Sequence, residues 1–394
     1  MNVVLFDDPV LRAQLLPLTF TRPVGDIRVG ILTIAEKWKM RLNAEVSFST
    51  PPYLAKKFPH VITSDNYWIN GALCPDEAFI AALRVLKPND AIEKNGRILA
   101  VRTADDEVPE VITGTAHPYP ADVTLIDHPW KIFNHNGPQI RSDFEMITKG
   151  RMSSPVTDKA TVVYNESNVF VEEGVTFKAA ILNAENGPIY LGKNSQVLEG
   201  AIIRGPFCLG DRSVVNMGAK MRGDTTIGPD CKVGGEVANS VMFSFTNKSH
   251  EGYLGNSVLG EWCNLGADTN TSNMKNTYDV VKLWSIARKE FIQTGLYFCG
   301  LIMGDHSKSG INTMFNTGTV VGVNSNILGG GYPPNYIPSF SWAGENTYDI
   351  EKALATAERA MGRRHQQITD DEKAILREVY NLTATDRNWE KNKK

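Results

Sequence analysis

The sequence predicts an α/β N-terminal domain, then a left-handed parallel β-helix of six-residue repeats, then C-terminal helices. Three observations carry this prediction. An apolar residue recurs at every sixth position through the middle of the chain, short apolar runs alternate with helical spacing before it, and two charged amphipathic stretches close the sequence. A chain of 394 residues has room for two or three cores. The expected divisions are residues 1–150, 151–340 and 341–394.

In the N-terminal part, Val3 to Phe6 and Glu45 to Phe48 read as strands. The run from Asp76 to Leu86 has i, i+3, i+4 apolar spacing after an acidic start, so it reads as a helix. Residues 151–188 read as a linker with the first irregular strands.

The repeat is clearest over residues 189–327. Leu191, Val197, Ile203, Leu209, Val215, Met221, Ile227 and Val233 follow one another at intervals of six. Such a period matches one flat side of a triangular coil, with the aliphatic side chains stacked along its axis. Two positions earlier in most repeats stands a compact residue suited to a tight corner: Ser195, Ala201, Ser213, Ala219, Thr225, Cys231. Gly, Asp and Asn follow the aliphatic residue, as in Leu209-Gly210-Asp211 and Ile227-Gly228-Pro229-Asp230, and suit corners that need positive φ or turn geometry. The phase slips after Val237, resumes at Leu259 and Leu265, and resumes again at Met303, Phe315, Val321 and Ile327. Both breaks read as insertions that leave the solenoid as loops, the larger between Thr271 and Gly300, with a short helix expected over residues 285–295. Two helices are expected around residues 348–366 and 369–380, packed on the end of the solenoid or on a neighbouring subunit. Flat outer faces favour self-association, and a homotrimer is expected.

Composition narrows the function. A formal net charge of −3 gives no basic footprint for nucleic acid. The start MNVVLFDDPV lacks the basic and long apolar regions of a signal peptide, and no run reaches membrane-spanning length. Five cysteines without a C-x-x-C pair argue against disulfides or zinc, which suits a reducing cytoplasm.

The chemistry-bearing segments lie where the repeat breaks. Lys248-Ser249-His250-Glu251-Gly252-Tyr253-Leu254-Gly255 is followed by Asn264-Leu265-Gly266-Ala267 and a run ending at Asn273. A lone loop histidine is usually a polar surface residue. Here, however, His250, Tyr253, Asn264, Ala267 and Asn273 stand in the register of the acetyltransferase half of the bifunctional N-acetylglucosamine-1-phosphate uridyltransferase / glucosamine-1-phosphate N-acetyltransferase family, which this stretch resembles. The resemblance implies that His250 is the general base and that the asparagines hold the sugar and orient the base. It also implies acetyl-coenzyme A along the groove between coils, bordered by Ala267, and an amino-sugar phosphate near Arg222, Tyr253, Asn264 and Asn273. Acyl transfer from a thioester to an amine needs a group to take the ammonium proton, and histidine's ordinary pKa suits that task near neutral pH. The sequence departs from the family at Ala238 and Asn239, where a lysine pair is usual, and at Met274, where a tyrosine is. His306 reads as a corner residue and is a reserve candidate.

Leu16-Pro17-Leu18-Thr19-Phe20-Thr21-Arg22-Pro23-Val24 is similar to the opening of sugar-1-phosphate nucleotidyltransferases. That likeness implies a shortened domain of this kind, with Arg22, Arg28 and Lys37 facing nucleotide phosphates; loop salt bridges are the alternative role for these cations. It also implies Mg2+, whose usual aspartate is replaced by Ala72, with Asp7, Asp8 or Asp76 as substitutes. The glycine-rich run expected before Pro17 reads DDPVLRAQL instead.

Three functions follow. The first is a nucleotide-sugar enzyme that uses acetyl-coenzyme A, a sugar phosphate and a nucleoside triphosphate. The second is a glucose-1-phosphate thymidylyl- or uridylyltransferase whose β-helix only assembles the oligomer. The third is a non-catalytic trimeric nucleotide-sugar-binding protein.

Overall fold

Val3, Val4 and Leu5 are apolar without alternation, the pattern of a strand covered on both faces. In the computed structural model, which describes residues 1–109, 111–387 and 389, the strand Asn2–Phe6 is indeed interior. It runs parallel to Glu45–Ser49 on one side and to Asn66–Asn70 on the other. Arg97–Thr103, Ala91–Lys94 and Ala116–Pro118 complete this six-stranded sheet, with Arg97–Thr103 antiparallel to Asn66–Asn70. The expected helix spans Glu77–Arg84; the Asp76 carboxylate caps it by accepting from the Phe79 N–H at 2.7 Å, and Phe79, Ile80 and Leu83 are buried. Thr33 and Glu36 form a capping box that starts the helix Ile34–Leu42.

The chain divides into two compact units, residues 1–27 with 32–131, and residues 28–31 with 132–394. The second unit is the parallel β-helix with the terminal helices. Its three faces begin at Val169–Val171, Thr176–Phe177 and Val162–Tyr164, so coils start within the stretch read as a linker. The reason lies in packing. Val169, Val171, Phe177 and Leu182 fill the same continuous core as Val197 and Ile203, although their spacing is irregular in sequence. The first face carries nine strands and ends at Tyr336–Ile337. No helix among the described residues is long and apolar enough to cross a membrane.

The corner residues behave as the spacing predicts: Ser195, Ala201, Ser213, Ala219, Thr225 and Cys231 are all fully buried. The Ser213 hydroxyl donates to the Gly228 carbonyl at 2.7 Å and accepts from the Cys231 N–H at 2.8 Å, tying one coil to the next. At these corners the left-handed conformation and the close approach fall on different residues. Positive φ falls on Arg212 and Asp230, whereas Gly210 serves close approach, since a Cβ there would stand 2.5 Å from the Pro229 nitrogen of the following coil.

The two breaks in the period differ in kind. On the second face Val215 pairs with Val233, one full coil of 18 residues, and Val233 then pairs with Lys248, only 15 residues on. The break after Val237 is therefore a shortened coil and not an insertion. Glycines permit it: Gly234 and Gly235 lie directly under the Ser249–Gly252 corner, with no Cβ in the way. The second break is a true insertion, because Leu265 pairs next with Ser309. The helix expected at residues 285–295 is instead part of an antiparallel hairpin, Lys282–Ser285 with Glu290–Gln293. Tertiary contact overrides local helical preference here. Leu283 is buried, and Trp284 stacks on Tyr336 at 5.1 Å and meets Phe291 edge-on at the same separation.

The first face is covered by the unit's own chain. Within the helix Pro129–Thr148, the Asn136 side-chain oxygen accepts from the Gly30 N–H at 2.7 Å and its amide donates to the Asp224 carbonyl at 2.8 Å. The Thr226 hydroxyl donates to the Gly30 carbonyl at 2.8 Å, and Asp143 accepts from the Ile31 N–H at 2.8 Å. Residues 28–31 are thereby locked to the solenoid. The terminal helices Ile350–Gly362 and Asp370–Leu382 close its far end, where Tyr380 packs edge-on against Phe340 at 5.1 Å.

Candidate functional site

His250 is exposed at the corner between the second-face strand Asn247–Lys248 and the third-face strand Tyr253–Gly255. That corner lies against the next one, residues 266–269, since a Cβ on Gly252 would stand 3.2 Å from the Thr269 nitrogen. Ala267 is half-buried in this neighbouring corner, its carbonyl accepting from the Asn312 N–H at 2.8 Å. His250 and Ala267 therefore share one edge of the solenoid on successive coils.

Beyond the corner, the third face carries a polar network. The Asn273 amide donates to the Tyr253 hydroxyl at 3.1 Å and to the Asn256 side-chain oxygen at 2.8 Å. The Asn270 side chain accepts from the Tyr253 N–H at 2.8 Å. Arg222 pairs with Glu236 at 3.2 Å, and Glu236 lies beside Tyr253 in the strand register. Burial pushes the Tyr253 phenol above its ordinary pKa against the opposing pull of Asn273 and Arg222, so the hydroxyl stays protonated and is available as a donor.

Asn264 sits elsewhere, on the second face, where it accepts from the Asn247 amide at 2.8 Å. Asn247 in turn accepts from the Ser249 hydroxyl at 2.5 Å, so Asn264 reaches the His250 corner only through that chain. The structure thus gathers Arg222, Tyr253 and Asn273 on one face next to His250 and leaves Asn264 behind the corner. Sequence reasoning missed Asn247, Asn256 and Asn270. Each stands 17 residues from a named candidate, Asn264, Asn273 and Tyr253 respectively, which is one coil at this point of the solenoid. Lys248 was missed as well. It is 2% exposed, takes an inward position beside Val233, and donates from Nζ to the His250 carbonyl at 2.7 Å.

Between the hairpin and the later coils lies a cleft of about 470 Å³. Ser272 and Met274, the neighbours of Asn273, form one wall, and Lys275, Lys282, Phe291 and Tyr332 also line it. His306 is a corner residue with φ of 61°, stacked on Trp262 at 6.3 Å.

In the first unit Arg22 is 4% exposed and pairs with Asp26 at 3.3 Å, and Lys37 is 1% exposed. Arg28 belongs to the second unit, where it donates to the Ile31 carbonyl. The carboxylates proposed to stand in for a metal ligand are engaged. Asp7 pairs with Arg12 at 2.7 Å and accepts from the Thr50 hydroxyl and the Val24 N–H, while Asp8 caps a helix and pairs with Arg97 and Asp76 caps another. Ala72 is fully buried. These residues do not fit a magnesium site, and among the described residues no group of three or more His, Cys, Asp or Glu converges on one. A separate apolar cleft of about 500 Å³ in this unit is lined by Ala82, Leu86, Ile92 and Tyr119, with the Asp90–His117 pair beside them.

Residues 3–152 match the family described as sugar nucleotidyl transferase. The bifunctional protein GlmU of Methanocaldococcus jannaschii is 37% identical over 89 residues, 23% of this chain and 21% of the relative. The bifunctional protein GlmU of Synechococcus elongatus is 29% identical over 312 residues, 76% of this chain and 58% of the relative. The chain thus spans about a fifth of the archaeal relatives and little more than half of the cyanobacterial one. An Arabidopsis UDP-N-acetylglucosamine acyltransferase structure shares 15% identity over 59% of this chain and 94% of its own, with a TM-score of 0.25, too low to carry an argument. Over its N-terminal region the chain is similar to the sugar nucleotidyl transferase family, and across three quarters of its length it is similar to the bifunctional GlmU protein of Synechococcus elongatus.

Proposed function

We propose that this protein is a transferase of nucleotide-sugar synthesis whose β-helix moves an acetyl group from acetyl-coenzyme A to an amino-sugar phosphate. The observation that carries this reading is the His250 corner flanked by the Tyr253, Asn256, Asn273 and Arg222 cluster, with the lysine- and aromatic-lined cleft adjoining Asn273. Acetyl-coenzyme A supplies an activated acyl carbon when bound. Lys275 and Lys282 offer positive charge for its phosphates and Phe291 and Tyr332 aromatic surfaces for its base, with Ala267 bordering its path on the coil that follows His250. Arg222 meets the sugar phosphate, exchanging Glu236 for it, and Tyr253 and Asn273 hydrogen-bond the sugar hydroxyls. Asn264, through Asn247 and Ser249, steadies the corner. His250 takes the ammonium proton, freeing the nitrogen lone pair for attack on the thioester carbon, and gives that proton to the sulfur as the C–S bond breaks, while the second nitrogen proton lost on amide formation passes to solvent.

For the first unit the proposal stays at the level of nucleotide-sugar chemistry, favoured by the family match over residues 3–152. Arg22 and Lys37 are its phosphate-facing candidates, and a phosphate reaching Arg22 would have to displace Asp26.

One assay tests both units. The protein is incubated with acetyl-coenzyme A, glucosamine-1-phosphate, each nucleoside triphosphate and magnesium, and thiol and pyrophosphate are followed separately. Acetyl transfer is expected to fall by about 10²- to 10⁴-fold in His250→Ala, the usual worth of a positioned base. Normal thiol release in that variant would refute the mechanism. Pyrophosphate release lost in Arg22→Ala, with no thiol release in any form of the protein, would favour the pyrophosphorylase reading. No turnover with any substrate would favour a binding protein.

A further inference from the structure

A lysine inside a β-helix is out of place: the inward column is otherwise built from residues such as Phe177, Val197, Val215, Val233, Leu265 and Ile327. Lys248 nevertheless takes the position beside Val233 and is 2% exposed. Burying an ammonium is costly unless it is hydrogen-bonded, so its retention calls for a physical reason. Geometry supplies one. The four-carbon stem fills the column as an aliphatic residue would, and the ammonium turns into the next corner, where Nζ donates to the His250 carbonyl at 2.7 Å. Room for it comes from Gly235, at φ of 68°, where a Cβ would stand 2.9 Å from Nζ. The neighbouring carboxylates of Glu251 and Asp268 favour the charged form.

We propose that Lys248 is a positioning residue, holding the Ser249–Gly252 corner by its His250 carbonyl from inside the solenoid and so fixing where the exposed imidazole points. The carbonyl and the ring belong to one residue, so anchoring the backbone at that atom limits the directions the side chain can take. The catalytic consequence rests on the reading of His250 as base, but the anchoring does not.

The test compares the wild type with Lys248→Met, which keeps the aliphatic fill and removes the donor, and Lys248→Gln, which keeps an N–H donor without charge. Hydrogen exchange followed by mass spectrometry is expected to show residues 249–252 exchanging about tenfold faster in Lys248→Met, the loss of one charge-assisted hydrogen bond, with residues 196–233 unchanged. Lys248→Gln should fall between the two. In acetyl transfer, kcat is expected to drop about tenfold or more with KM for acetyl-coenzyme A unchanged, and Lys248→Met should cost nothing further in a His250→Ala background. Equal exchange at the corner in all three proteins, or faster exchange spread over the whole solenoid, would overturn the proposal. Local loosening in a protein that shows no acetyl transfer even as wild type would uphold the anchoring and reject the proposed reaction.

Discussion

At the scale of single residues, the buried ammonium has a thermodynamic signature. Burial pulls the Lys248 pKa down from 10.5 to about 8. Below pH 8 both folded and unfolded chains hold this proton, and the folded state bears the full desolvation penalty. Between pH 8 and 10.5 the folded chain releases a proton that the unfolded chain keeps, so the contribution of Lys248 to stability rises with pH. Lys308 is displaced in the same direction, also to about 8. The buried thiols of Cys231 and Cys299, pushed up to about 12, act with the opposite sign above pH 9. A comparison of wild type with Lys248→Met removes these common terms. Urea unfolding at a series of pH values is expected to show the wild type gaining on the variant by on the order of 3 kcal/mol between pH 8 and 10.5. A difference independent of pH would mean that the amine is already neutral, or solvated, in the folded protein.

At the scale of elements, the solenoid is regular where small residues let coils approach and irregular where the chain has another task. Ser213 and Cys231 repeat the same corner one coil apart, and Gly234-Gly235 lets the coil shorten beneath the Ser249–Gly252 corner, whose own step from Lys248 to Leu254 keeps six residues. Within helix Pro129–Thr148, Asn136 ties the chain to the first face. Asn136, fully buried, joins the Gly30 N–H to the Asp224 carbonyl. Its replacement by Ala leaves a buried donor and a buried acceptor without partners, at about 1–3 kcal/mol for each group. Asn136→Ala is therefore expected to lower the melting temperature and to speed amide exchange at residues 29–31 and 224–226, while a Ser substitution at an exposed site such as Asn276 has no such effect. Unchanged exchange at Gly30 would show that the helix is held by apolar contact alone.

At the scale of the whole molecule, the three faces of the solenoid differ in what they present. Outward residues of the first face, Cys208, Thr226 and Val241, are buried. The third face leaves a column of Val162, Ile181 and Ile202 at 46%, 37% and 42% exposure. Flat apolar columns of this kind are what self-association covers, and the trimer proposed from the sequence is expected to use this one. Light scattering on the eluting protein should give three chains for the wild type and one for Ile202→Glu. A wild type that elutes as a single chain would sink the proposal.

Much of the fold was legible in the sequence, because a solenoid repeats one local solution and its period survives in the order of residues. The inward column from Leu191 to Val233, its compact corners, the interior strand at Val3 to Leu5 and the capped helix after Asp76 all follow from local pattern and burial. The candidates His250, Tyr253 and Asn273 came from a register that resembles a known family. What the sequence did not disclose depends on contacts between coils. A six-residue count cannot tell a shortened coil from an insertion, since both merely shift the phase; only the pairing of Val233 with Lys248 decides it. The hairpin at residues 282–293 formed against helical spacing because Trp284 found Tyr336. Asn264 and Tyr253, close in the motif, parted onto different faces because a corner lies between their strands. Lys248 carried no role in the sequence reading, and only the closed column around it shows a buried charge whose ammonium reaches the carbonyl of His250. Periodicity is a property of the chain, whereas the environment of a side chain is set by neighbours a full coil away.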